Sequence, residues 1–135
     1  MNQLSLTGEL HFCMVTNLSI TYSIIIFAVI CFQIALIFGA PWGRITQGGT
    51  HDGAMPLKGR IIAAISIALL IFMILAMLSA SDKWPNWPAW TGWVTVAINL
   101  IMCVLNWITP SRAERKLWGP ITTMIVVLSA SIMLL

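Results

Sequence analysis

Four stretches of this chain carry no charged residue, and their lengths decide what it can fold into: Val15 to Phe38, Ile61 to Ala80, Thr91 to Thr109 and Gly119 to Leu135. A helix rises about 1.5 Å per residue, so roughly 20 residues cross a hydrocarbon core of about 30 Å. The last stretch barely reaches that length, and the first is long enough to require tilt. None alternates apolar and polar residues with period two, which excludes the strands of a membrane barrel. Only 8% of the residues are charged, against about 25% in a soluble domain, too few to clothe a water-exposed surface. The 59% hydrophobic content equally excludes a disordered chain. The expected fold is an all-α membrane protein, four transmembrane helices in a compact bundle. It forms a single domain over residues 1–135, with spans at about 15–38, 61–80, 91–109 and 119–135.

The positions of lysine and arginine predict the orientation. The first loop, residues 39–60, holds Arg44, Lys58 and Arg60, and the third, residues 110–118, holds Arg112, Arg115 and Lys116. With four spans these loops share one side, and the other side has Lys83 alone. The positive-inside rule makes both loops cytoplasmic and puts the N-terminus and C-terminus outside. The formal net charge of +3 therefore reports topology and contact with anionic lipid, for which Arg44, Lys58, Arg60, Arg112, Arg115 and Lys116 are the candidate residues. A split and short basic set gives no reason to expect nucleic acid. Met1 to Thr16 lacks a basic leader and carries Glu9, so the first span is expected to act as the insertion signal.

The first loop is the glycine-dense part of the chain, with Gly39, Gly43, Gly48, Gly49, Gly53 and Gly59. Glycines turn sharply and can present N–H groups to an anion, so the loop is either a turn-rich connector or a cradle for a lipid phosphate or small anion. No nucleotide P-loop pattern is present. His51-Asp52 lacks the third ligand and spacing of a metal site, and Glu9 and His11 lie across the membrane under this topology. The second loop places Trp84, Trp87 and Trp90 three residues apart among prolines. That spacing suits either an aromatic belt at the outer interface or one side of a polyproline II segment offered to an apolar ligand. Trp42, Trp107 and Trp118 are expected to anchor the inner interface. Ser111 with Glu114 fits a capping box for one helical turn before the last span.

Inside the spans there is no acidic or basic residue, whereas ion-coupled transporters usually keep one at membrane depth. The small multidrug exporters, also four-span chains, depend on a glutamate in the first span, where this chain has Gln33. The third span carries a polar stripe on one helical face, Thr95, Asn99, Cys103 and Asn106. It is expected to pack on the small surface Ser19, Ser23, Cys31, Ala35 and Gly39 of the first span or to line a narrow permeation path. Gln33 is expected to need a partner of its own. Gly59, Ala63, Ala64 and Ala68 offer the second span a face for close approach. Cys13, Cys31 and Cys103 form no Cys-x-x-Cys pair, so structural zinc and disulfide exchange are not expected. No cofactor is expected, and no Ser/His/Asp set suggests an enzyme.

The stretch Gly39-Ala40-Pro41-Trp42-Gly43, with Gln47-Gly48-Gly49, His51 and Met55-Pro56-Leu57 up to Arg60, resembles a group of small bacterial four-span inner-membrane proteins. The later segment with Ser111-Arg112, Glu114-Arg115 and Trp118-Gly119-Pro120 resembles the same group. The resemblance implies a fold and a location in the inner (plasma) membrane, and no reaction. Two functional classes follow. One is a structural or accessory protein whose cytoplasmic loops bind membrane lipids, a protein partner or a second copy in a homo-oligomer. The other is a small oligomeric channel or carrier lined by the third-span stripe.

Overall fold

The computed structural model describes residues 2–135. The four helices are α1 (Gln3–Ile37), α2 (Leu57–Ala80), α3 (Ala89–Ile108) and α4 (Arg112–Leu134), and no strand occurs among the described residues. Each helix is long and apolar enough to cross a membrane. The helices run past the charge-free stretches at several ends. α1 begins at Gln3 and spans 35 residues, because Gln3 to Met14 holds no proline and its single glycine, Gly8, weakens a helix without ending it. α4 begins at Arg112, inside the predicted third loop, because Ser111 caps it: the Ser111 hydroxyl accepts the Glu114 N–H at 3.2 Å. The helix then continues through Pro120.

Neighbours in sequence pack in pairs, α1 on α2 and α3 on α4, and contacts of α1 with α4 and of α2 with α3 close the bundle. The inward face of α1 carries Val15, Ser19, Tyr22, Ile26 and Ile30, spaced by four, three, four and four residues, as a helix of 3.6 residues per turn requires. These side chains meet Met73 and Met77 of α2 and Ile125 and Ile132 of α4. A second small core of Leu36, Met55 and Ala63 joins the end of α1 to the start of α2. Ile24, Phe27, Ile65, Leu100 and Val104 point outward, which costs nothing against lipid. Gly59 and Ala63 are buried and give α2 its close approach, whereas Ala64 and Ala68 face outward, so the predicted small face is only half used.

The two ends of the bundle differ. At one end His11 meets the Leu135 carbonyl, and Ser81 donates to Ser19 at 2.8 Å. The segment between α2 and α3 lies at this end. It does not form a polyproline II ribbon: Asp82 and Asn86 take φ of 57° and 59°, whereas that helix needs φ near −75° throughout. Trp87 packs against Phe72 with ring centroids 5.5 Å apart, while Trp84 and Trp90 stand exposed. The tryptophans therefore point separately and make no common platform. At the other end the long first loop folds into two short 3-10 turns, Gly43–Ile45 and Gln47–Gly49, against the start of α4.

Candidate functional site

The first loop is held onto the bundle by named bonds. Gly43 donates its N–H to the Gly53 carbonyl at 2.9 Å, closing the loop on itself. Ser111 donates to the Arg44 carbonyl at 2.7 Å, and the Trp118 indole N–H donates to the Ile45 carbonyl at 2.8 Å. The Gln47 amide donates to the Gly59 carbonyl at 2.9 Å. Beneath the loop the Phe32 ring lies stacked on Trp42, with centroids 5.4 Å apart, and edge-on to Trp118 at 4.8 Å. Trp42 and Trp118 thus grip one phenylalanine from two sides. Trp118 also ties the first loop to α4 within the molecule. Trp107 likewise donates to Thr123 at 2.9 Å.

This clamp roofs a cavity of about 540 Å³ in the loop half of the bundle, lined by all four helices and by Thr46 to Gly48. Its walls are mostly aliphatic and aromatic, with a few polar groups: Gln33, Gln47, Asn99, Asn106 and Glu114. The volume falls within the roughly 300–1,000 Å³ typical of small-molecule sites, and so does the pattern of an apolar lining with sparse polar groups. Toward the opposite end the bundle is filled, with Tyr22, Met77 and Thr95 wholly buried.

Glu114 lines this cavity and is only 8% exposed. Its side chain does not complete a capping box. Instead Oε2 accepts the Gly48 N–H at 3.0 Å and the Thr109 hydroxyl at 2.6 Å. The anion that the glycine loop receives is thus the chain's own carboxylate. Gly48 has a φ of 82°, a conformation open to glycine that turns its N–H toward Glu114.

The third-span stripe is divided among different partners. The Asn99 amide donates to the Tyr22 hydroxyl at 2.9 Å in the buried core, and the Asn106 amide donates to its own helix at Met102 at 2.7 Å. Both residues line the cavity. Thr95 bonds back to Thr91, and Cys103 faces Thr123 at 3.5 Å, so neither contributes to it. The expected partner surface on α1 is also different: Cys31 is exposed, and Tyr22 is the residue that meets Asn99. Gln33, expected on a separate face, joins Asn99 and Asn106 on the cavity wall. Because Asn99 and Tyr22 satisfy each other in a dry setting, Asn99→Leu and Tyr22→Phe are each expected to cost about 1 kcal/mol. The double variant should cost less than the sum by about 0.6–1.7 kcal/mol. Thermal unfolding of the four proteins in detergent measures the cycle, and strict additivity would show that the pair is not coupled.

The six basic candidates separate into two groups. Arg44 pairs with Asp52, Arg60 donates to the Met55 carbonyl at 2.9 Å and Arg115 donates to the Thr109 carbonyl at 2.7 Å. Lys58, Arg112 and Lys116 are exposed and make no hydrogen bond or ion pair among the described residues. The hydrogen bond from Arg44, and secondarily its charge, hold the Asp52 carboxyl below its ordinary range. His51 is exposed and shares a hydrogen bond with Thr50. No group of three His, Cys, Asp or Glu side chains is placed to hold a metal among the described residues. The three cysteines are free thiols.

Two residues have roles here that the sequence reading did not assign: Glu114 on the cavity wall, and Tyr22 as the partner of Asn99. Glu114 fits a cap at Ser111, and only the fold brings Gly48 and Thr109 to its oxygen. Tyr22 is the one tyrosine in the chain, and a phenol inside a span requires a hydrogen-bond partner, which is a signal the sequence did contain. Comparison of the chain with protein-family models, curated proteins and solved structures finds no match.

Proposed function

We propose that this chain is a non-enzymatic multi-pass protein of a bacterial plasma membrane that holds a small amphipathic molecule in the cavity beneath its first loop. The observation that carries the reading is the cavity itself, apolar on its walls, polar at a few points and roofed by a loop with its own hydrogen-bonded frame. The six-to-one distribution of Lys and Arg supports a cytoplasmic position for the roofed end. There Lys58, Arg112 and Lys116 are free to meet anionic headgroups, each worth about 1 kcal/mol at the membrane surface. A through-channel within one chain has less support, because the bundle is filled beyond Asn99.

A photoreactive probe tests the reading. A neutral alkyl diazirine added to the protein in lipid nanodiscs is expected to label Phe32, Met73 and Asn106 on the cavity wall as well as lipid-facing Ile24 and Val104. Filling the cavity with Ser66→Trp should lower the wall labelling about tenfold, a change of about 1.4 kcal/mol, and leave the lipid-facing labelling unchanged. Wild-type labelling confined to the lipid-facing residues would rule the reading out.

A further inference from the structure

We infer that the molecule held in the cavity carries a cationic head, an alkylammonium, whose charge is met by Glu114; this rests on the cavity-binding reading above. Among the described residues, Glu114 is the only formally charged one on the cavity wall. It is more than nine-tenths buried, yet no Lys, Arg or His lies within ion-pairing distance of it: the one ion pair among the described residues joins Arg44 to Asp52. Its Oε2 takes two hydrogen bonds, and Oε1 takes none among the described residues. Arg115, the nearest basic residue in sequence, spends its Nη2 on the Thr109 carbonyl. A buried carboxylate without a counter-charge is costly, and a ligand that brings the charge recovers part of that cost. An anionic ligand would place a second negative charge beside the first.

A neutral polar group points the same way. Asn106, on the cavity wall, uses its amide nitrogen on the Met102 carbonyl, which leaves its amide oxygen without a protein partner among the described residues. Carbonyl oxygens accept from an ammonium and have nothing to offer a phosphate or sulfonate. The aliphatic walls, Met73 among them, are left for the alkyl chain.

The test uses three alkyl diazirines of one chain length with primary ammonium, neutral methoxy and sulfonate heads. They are compared in nanodiscs of zwitterionic lipid, with labelling normalised to Ile24 and Val104. In the wild-type protein the ammonium probe is expected to label the cavity wall about tenfold more than the sulfonate probe, which corresponds to about 1.4 kcal/mol. Glu114→Gln keeps an acceptor for Gly48 and Thr109 and removes the charge. It should bring the ratio close to one while the neutral probe is unaffected. Equal labelling by ammonium and sulfonate in the wild type, with the neutral probe still in the cavity, would overturn the cationic assignment and leave cavity binding standing. A tenfold preference that survives Glu114→Gln would remove Glu114 as the counter-charge. Labelling of the cavity by none of the three probes would bring down both readings.

Discussion

Gly43→Ala is expected to unfold the first loop and to lower stability by about 3 kcal/mol, in the upper range for overpacking a site that cannot relax. Gly43 is buried, and its backbone N–H is bonded to Gly53 where the loop crosses itself. An added methyl would overlap the His51 carbonyl oxygen and lie 2.8 Å from that of Gly53. Both obstacles are backbone atoms, so relief requires opening the crossing that holds the 3-10 turns over the cavity. Gly92→Ala supplies the control. Its methyl would collide just as closely, but with the thioether end of Met133, a flexible side chain that can swing aside. That variant is expected to stay within about 1 kcal/mol of the wild type. Thermal unfolding in detergent distinguishes the two. Gly43→Ala should drop the midpoint by on the order of 10 °C, and a midpoint equal to that of Gly92→Ala would mean that the crossing is dispensable.

Phe32→Ala is expected to have a comparable effect by a different route. The ring is the shared surface of Trp42, in the first loop, and Trp118, in α4. Deleting it removes two aromatic contacts and leaves a void below the loop. Phe-to-Ala changes in packed sites cost roughly 3–5 kcal/mol, and the half-buried position argues for about 3. Near-UV circular dichroism should weaken at the same time, because two of the 7 tryptophans lose their fixed surroundings. Phe27→Ala, on the same helix but 62% exposed on the outward face, should change stability by no more than about 0.5 kcal/mol. Equal losses for the two variants would show that Phe32 is not the hub of the clamp.

Much of the scaffold is legible in the order of residues, and the site is legible only in part. Four apolar helices follow from runs too long and too free of charge for any other use. The start of α4 was legible at Ser111, read as the cap of a single turn, but the charges of Arg112, Arg115 and Lys116 hid that this turn runs on into the last span. In the third span the spacing of Asn99 and Asn106 correctly puts them on one face, and both reach the cavity. The same spacing includes Thr95 and Cys103, which turn out to serve neighbouring backbone and Thr123. Periodicity ranks residues by angle around one helix, and it carries no information about which neighbour stands at that angle.

The sequence by itself determined that this chain forms four helices long and apolar enough to cross a membrane, and that six of its seven basic residues gather at one end. These are consequences of solvation, which acts on each segment separately: apolar runs leave water and charges stay in it. Tertiary structure alone decided that Gly48 and Thr109 converge on Glu114, that Phe32 joins two tryptophans 76 positions apart in the chain, and that α2 and α3 leave a cavity between the loops and Asn99. Those arrangements depend on how the helices close around one another. The absence of charge from the spans is a property of composition, whereas Glu114, in the first turn of α4, becomes a cavity residue only because the first loop folds over it.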